Sequence, residues 1–297
     1  MGDKPNPLQV VLVLYGCKPS ESLALASLQR ILEREVGPRH LLSLLIYDNS
    51  PRSSVNMDEL PDWAEYSHDS RNGGLAAAYN CALTRAVKDN CSWLMLLDQD
   101  TLLTAEYLHE AFALIYEFIQ HDEVVAIVPR LVERKTTHSP TVKKLIRDKA
   151  IPTDFSGISK ERIFAFNSGA IIRVKALEQI GGFPKDFWLD ALDHAVFHLL
   201  QQKGGRVAIM RSRMEHSLSL KNLAESMSLQ RYQNILAADA LCTRRYFGRW
   251  NRFRRRLRLL YSAIKQLSRK KEWKFVSVSL HFALGPIMRR RTDTTKI

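Results

Sequence analysis

Cysteine is scarce in this 297-residue chain, and no two cysteines stand in a Cys-x-x-Cys pair. Cys17, Cys81, Cys91 and Cys242 lie too far apart to suggest a zinc site or a disulfide framework, so a reducing compartment is expected. Long apolar runs are missing as well. The longest weakly polar stretch, Val276 to Met288, is broken by Ser277, Ser279, His281, Gly285 and Pro286, and is too short for a simple membrane span. The polar start, Met1-Gly2-Asp3-Lys4-Pro5-Asn6-Pro7, lacks the apolar region and small-residue cleavage site of a secretory signal. These absences predict a cytoplasmic protein. Internal repeats and low-complexity segments are absent too, which excludes a repeat array.

Acidic residues are nearly absent from the end of the chain. From Cys242 to Ile297 there are 17 Lys and Arg against only Glu272 and Asp293, a net of 17 − 2 = +15. The whole chain carries +13, so the preceding residues carry +13 − 15 = −2. The basicity is a local electrostatic feature, informative about docking rather than about the body's chemistry.

What the body does contain is an alternation of strands and helices. Gln9–Tyr15 is continuously apolar and ends at Gly16, as a core parallel strand does. Ser20–Glu33 has helical apolar spacing. Leu42–Tyr47 is a second strand, ending in the turn Asp48-Asn49-Ser50-Pro51. Residues 52–66 read as a polar connection with a short element. Asn72-Gly73-Gly74 opens a helix over Leu75–Asp89, Trp93–Leu97 is a third strand, Thr104–Gln120 a third helix and Val124–Pro129 a fourth strand. Val132–Ile158 is polar and reads as a mobile loop. Beyond it lie Asn167-Ser168-Gly169 before apolar Ile171-Ile172, a short helix at Leu177–Ile180, a helix from about Phe187 to Lys203, and a strand at Arg206–Met210. This order predicts an α/β layered domain with a mostly parallel sheet. Ligands gather at the carboxyl ends of such strands. Tyr15-Gly16, Asp48-Asn49 and Asp98-Gln99-Asp100 all fall there.

Asp98-Gln99-Asp100 follows the apolar run Leu94-Met95-Leu96-Leu97. Two carboxylates one residue apart at a strand end can hold a divalent cation against a diphosphate; the same tripeptide also suits an ordinary acidic turn. Asp48 is an acceptor-only carboxylate or the start of an Asx-turn. Asn72-Gly73-Gly74 is a glycine turn and helix start under any reading, and Asn167-Ser168-Gly169 is equally compatible with a simple turn. Asp190 and Asp193, three residues apart at a helix start, can share a face, or one of them can cap the helix. His216, beyond the last strand, is a lone histidine.

The order of these motifs, from about Gln9 to His216, resembles the family 2 inverting glycosyltransferases, particularly their bacterial rhamnosyltransferase-like branch. The resemblance implies a GT-A nucleotide-diphospho-sugar transferase fold over residues 1–222, with residues 223–297 a basic helical extension. It also implies metal-assisted transfer of a sugar from a nucleotide-diphospho-sugar. On the matching positions, Tyr15, Gly16, Asp48, Asn49, Asn72, Gly73, Gly74, Asp98 and Gln99 would line the donor nucleotide-sugar. Asp48 would accept from the base N–H, and Asp98 would contact the ribose or support the metal. Asp100 would coordinate Mg²⁺ or Mn²⁺ directly, with His216 a further ligand whose imidazole would favour Mn²⁺. Asp193 matches the general base that takes the acceptor's hydroxyl proton, with Asp190 the fallback. Asn167, Ser168, Gly169 and Trp188 would face the acceptor. Two positions depart from the family: Ala195 stands where a Glu is common, and Leu199 where an Arg is. The Asp-Gln-Asp form is the one associated with rhamnosyl transfer, which points to dTDP-L-rhamnose. UDP-galactofuranose or a UDP-hexose is the alternative donor, and a non-catalytic basic membrane- or nucleic-acid-binding protein the alternative from another class.

In the tail, Leu223–Phe247 reads as helical. Phe253, Leu257, Leu260, Tyr261, Ile264 and Leu267 continue an apolar stripe among Arg252, Arg254, Arg255, Arg256, Arg258, Arg269, Lys270, Lys271 and Lys274, with Trp250 and Trp273 at its borders. A basic amphipathic helix with aromatics fits an anionic membrane surface; an appended helix packed on the body with a solvated basic face is the other reading. Nucleic acid is disfavoured, since no zinc finger or RNP-type aromatic signature accompanies the charge. The resemblance implies a polyprenyl-diphosphate-linked saccharide acceptor in surface-polysaccharide or lipopolysaccharide synthesis, and hence a peripheral protein on the inner face of the cell membrane.

Overall fold

The computed structural model describes residues 7–34, 41–53, 55–57, 60–133, 136–142, 148–215, 227–268 and 273–285. They divide into two compact units, one drawn from residues 7–215 and the other from residues 227–285. The boundary expected at 222/223 lies outside the described residues.

The first unit carries the expected alternation. β1 (Leu8–Leu14) is followed by a single 3-10 turn at Pro19–Glu21, α1 (Leu23–Arg34), β2 (Leu42–Asp48), β3 (Ala64–His68), α2 (Gly74–Lys88), β4 (Trp93–Asp98), α3 (Ala105–Glu117) and β5 (Val124–Glu133). Short strands β6 (Thr136–Ser139), β7 (Thr141–Val142), β8 (Lys149–Ala150), β9 (Gly157–Ile158), β10 (Ile163–Phe164) and β11 (Ile171–Arg173) precede α4 (Val174–Gln179), α5 (Leu192–Gln202) and β12 (Arg206–Glu215).

The main sheet has the order β3-β2-β1-β4-β11-β5-β12-β9, with β6 on β5. β1 pairs in parallel with both β2 and β4, and every one of its residues is buried. That is the environment its unbroken apolar run requires, because a parallel strand is covered on both faces. β11 enters antiparallel between β4 and β5. The core joins Leu12, Leu14, Leu44, Ile46, Met95 and Leu97 of the strands to Leu28 and Tyr107 of the flanking helices.

The short element expected with the 52–66 connection is β3, an edge strand whose half-buried Ala64–His68 gives no apolar run to read. One sequence expectation is corrected. The expected mobile loop at 132–158 contains β6 to β9. It is held by pairing, Leu131 opposite Ser139, and by the fully buried Arg130, whose guanidinium donates to the carbonyls of Ile151 (3.3 Å) and Phe155. Polar strands of two to four residues satisfy their backbone through the ladder without leaving a period in the sequence.

The second unit consists of α6 (Leu229–Tyr246), α7 (Arg249–Ser268) and α8 (Trp273–Leu284) around Leu236, Leu259, Val278 and Ala283. Ser228 caps α6 by accepting from the Arg231 N–H at 3.1 Å. Arg255 of α7 is turned inward, donating to Asp239 (2.5 Å) and to the Leu236 carbonyl (2.9 Å). Among the described residues no helix is long and apolar enough to cross a membrane.

Candidate active site

The parallel register places the three strand ends together, with Leu14 opposite Asp48 and Val13 opposite Asp98. Hydrogen bonds then stitch the edge. The Tyr15 N–H donates to Gln99 Oε1 (2.8 Å), and the Gly16 N–H to Ser50 Oγ (2.8 Å). The Gln99 carbonyl accepts from the Ser22 hydroxyl (3.0 Å) at the start of α1. Gln99 therefore fastens the turn between its two aspartates to the loop after β1.

Asp48 is buried and already engaged: Oδ1 accepts from the Ser50 N–H (2.8 Å), an Asx-turn, and Oδ2 from the Tyr66 hydroxyl (2.7 Å). Burial, reinforced by the Asp48 carboxylate, pushes Tyr66 up to about 12 and keeps it a neutral donor. Each carboxylate oxygen retains a further lone pair for a ligand.

Asp98-Gln99-Asp100 is itself a hydrogen-bonded turn, the Thr101 N–H reaching the Asp98 carbonyl at 3.1 Å. The decisive contact comes from far along the chain, where the Ser168 hydroxyl donates to Asp98 Oδ2. Ser168 is delivered by the segment entering antiparallel β11, with the Gly169 N–H on the Leu96 carbonyl (2.8 Å) and the Tyr107 hydroxyl on the Gly169 carbonyl (2.7 Å). Asn167-Ser168-Gly169 and the acidic turn are thus one constellation.

The start of α2 is bound to the loop before α5. The Leu75 N–H donates to the Trp188 carbonyl (2.9 Å), and Trp188 Nε1 to the Asn72 carbonyl (2.7 Å). Asn80 clamps Phe183 through both its main-chain N–H (2.9 Å) and carbonyl (2.8 Å). Gly74 has φ +75°, and a Cβ there would lie 2.2 Å from the Trp188 carbonyl oxygen. Its missing side chain therefore admits the Trp188 loop, a packing role the sequence did not disclose. Trp188, expected on the acceptor side, meets Asn72, expected on the nucleotide side.

Asp193 lies in the first turn of α5 and accepts from the His194 N–H at 2.7 Å. The N-cap position is Ala191, in the left-handed region with φ 62°, and no side chain caps the helix. Neither aspartate is therefore a side-chain N-cap. Tyr79 of α2 feels the charges of both this helix start and the acidic turn. Burial drives its pKa well above the ordinary tyrosine value, and the charges of Asp98 and Asp193 both add to the rise. Its hydroxyl is buried with no hydrogen-bond partner among the described residues. Asn49 Oδ1, Thr101 Oγ1 and Asn167 Oδ1 share that condition, a concentration of unmet polar atoms that suits a ligand-binding edge. Tyr66 and Tyr79 were missed by sequence reasoning; the only signal for Tyr79 was one aromatic in an alanine-rich helix.

Among the described residues no three His, Cys, Asp or Glu side chains gather as a metal site, and His216 lies outside the described residues. The hard oxygens of Asp98 and Asp100 nevertheless fit Mg²⁺ or Mn²⁺, since such ions are commonly held by one or two carboxylates with substrate phosphates and water completing the shell.

The family model described as Glycosyl transferase family 2 matches residues 10–181. The chain belongs to this family. The match takes in every donor-side candidate and Asn167-Ser168-Gly169, and stops before Trp188, Asp190 and Asp193. This family 2 glycosyltransferase also resembles solved structures of S. aureus TarS 1-349. The complex with UDP-GlcNAc aligns at TM-score 0.55 and 12% identity over 93% of this chain and 81% of that one. The UDP complex aligns at 0.53 and 13% over 91% and 80%. Identities this low speak to the fold alone, which is GT-A, as the motif order implied. Comparison with curated protein sequences finds no match.

Proposed function

We propose that this family 2 glycosyltransferase is an inverting, metal-dependent enzyme that moves L-rhamnose from dTDP-L-rhamnose onto a polyprenyl-diphosphate-linked saccharide, in bacterial surface-polysaccharide assembly. The observation that carries the proposal is the Ser168–Asp98 contact, which joins Asn167-Ser168-Gly169 to the Asp98-Gln99-Asp100 turn. Asp48 accepts from the base N–H, Asn72 and Asn49 line the nucleotide, and Asp98 contacts the ribose or supports the metal. Asp100 would hold Mg²⁺ or Mn²⁺ directly, with His216 a further ligand. When bound, the cation neutralises charge on the diphosphate leaving group.

Asp193 takes the proton from the acceptor hydroxyl as that oxygen attacks the anomeric carbon, opposite the leaving diphosphate. Asp190 and Trp188 support the acceptor. The enzyme works in the cytoplasm, peripherally at the inner face of the membrane, where a lipid-borne acceptor and a soluble donor are both within reach. The TarS complexes with UDP and UDP-GlcNAc favour one second reading, the same chemistry with a UDP-sugar.

A donor panel with Mn²⁺ or Mg²⁺ tests the assignment by thermal shift and by nucleoside diphosphate release. Stabilisation and turnover with dTDP-L-rhamnose are expected, because a ligand that binds only the folded state raises its melting temperature. Turnover of a UDP-sugar but not of dTDP-L-rhamnose rejects the donor. Silence with every donor favours a non-catalytic protein.

A further inference from the structure

α7 carries apolar residues on its outward face. Trp250, Phe253, Leu257, Tyr261 and Ile264 follow one another in steps of three or four residues and so form one row along the helix. They are between 41% (Leu257) and 66% (Ile264) exposed. The inward face is made by Leu259 and Ala263, both buried, and by the Arg255 ties to α6. Packing within the three-helix unit therefore uses a different face and leaves this row in water. Basic residues border it on both sides, Arg254 and Lys265 along one edge and Arg249 and Arg256 along the other. α7 contains no acidic residue.

We propose that this row is a membrane-docking face: α7 lies in the plane of an anionic bilayer, the row sinks into the acyl boundary, and the flanking cations meet lipid phosphates. An apolar stripe edged by cations is what a helix needs in that position. A second copy of the chain fits poorly, since pairing two such rows would bring the basic edges of one copy against those of the other. Nucleic acid would engage the arginines and leave Leu257 and Ile264 in water. The reading rests on the membrane location proposed above and is independent of the donor sugar. The outward face is apolar with basic edges, which supports docking over a solvated basic face.

The test is co-sedimentation of the full chain with phosphatidylglycerol–phosphatidylethanolamine vesicles and with phosphatidylcholine vesicles, for the native protein and for W250S/L257S/I264S. The native protein is expected to bind the anionic vesicles, and the triple variant about tenfold or more weakly, given the free energy of burying each apolar group. Its helical circular dichroism and its transfer to a soluble acceptor should be unchanged. Should the triple variant melt early, Ile264→Ser alone, at the most exposed position of the row, reads the same loss on a smaller scale. Equal vesicle binding by native protein and variants overturns the face. So does a native dimer that the triple variant disperses, or duplex DNA binding without vesicle binding. A protein that transfers sugar but ignores every vesicle overturns this inference alone, whereas one that binds vesicles and turns over no donor overturns only the enzymatic reading.

Discussion

Asp98 receives the Ser168 hydroxyl on one oxygen, while its neighbours Gln99 and Thr101 bind backbone on either side. Removing that hydroxyl takes one hydrogen bond from the carboxylate, so Ser168→Ala should lower kcat/KM about tenfold, ~1.4 kcal/mol, with the fold intact by circular dichroism. Asp100 has the more direct expected duty, and Asp100→Ala should abolish the Mn²⁺-dependent part of donor binding seen by thermal shift. A third outcome concerns pH. Burial, with help from the carboxylates of Asp48 and Asp69 respectively, holds Tyr66 and Tyr47 up to about 12 in the fold. Tyrosine in an unfolded chain titrates near 10 (roughly). Between those values the folded state keeps protons that the unfolded state has released. The stability they contribute is complete below the lower value and is lost as pH rises through the window. Urea midpoints at about pH 9 and about pH 11 should therefore fall steeply in the native protein and less steeply in Tyr66→Phe. The aspartates themselves were legible, because an acceptor-only side chain after an apolar run stands out. Tyr66 and Tyr79 were not, since nothing local says that Tyr66 will donate to Asp48 or that the Tyr79 hydroxyl will be buried without a partner.

β1, β2 and β4 were readable as elements because burial on both faces demands an unbroken apolar sequence. The edge strand β3 and the short strands β6 to β9 answer to pairing partners instead, and their sequences carry no period. The start of α2 teaches the same lesson from the other direction. Its glycines read locally as a turn and helix start, and the family resemblance gives them to the nucleotide, yet Gly74 makes room for Trp188, a residue more than a hundred positions away. Gly74→Ala should destabilise the protein by about 2–3 kcal/mol, since the new methyl meets main chain and the backbone angle disfavours a side chain. Asn80→Ala, which strips both hydrogen bonds from Phe183, should cost about 1–3 kcal/mol. Denaturant melts of the two variants check both values. An undisturbed Gly74→Ala would show that the Trp188 loop can yield.

At the scale of the whole molecule, the division into a nearly neutral body and a cationic tail was visible from charge alone. The structure adds that the tail is a three-helix unit with a core of its own. The weakly polar stretch from Val276 belongs to α8 rather than to a membrane span, and its Val278 and Ala283 are in the core of that unit. Which sugar the enzyme carries is not written in the fold, because nucleotide-diphospho-sugars share the diphosphate that the acidic turn is proposed to address. The mechanism proposed for all of them passes through one base, Asp193. The most direct measurement is the rate of sugar transfer by Asp193→Asn, taken beside its donor affinity in Mn²⁺. The account predicts unchanged donor affinity with transfer reduced by about 10²–10⁴-fold, the size of a lost general base. Transfer at the native rate would contradict it.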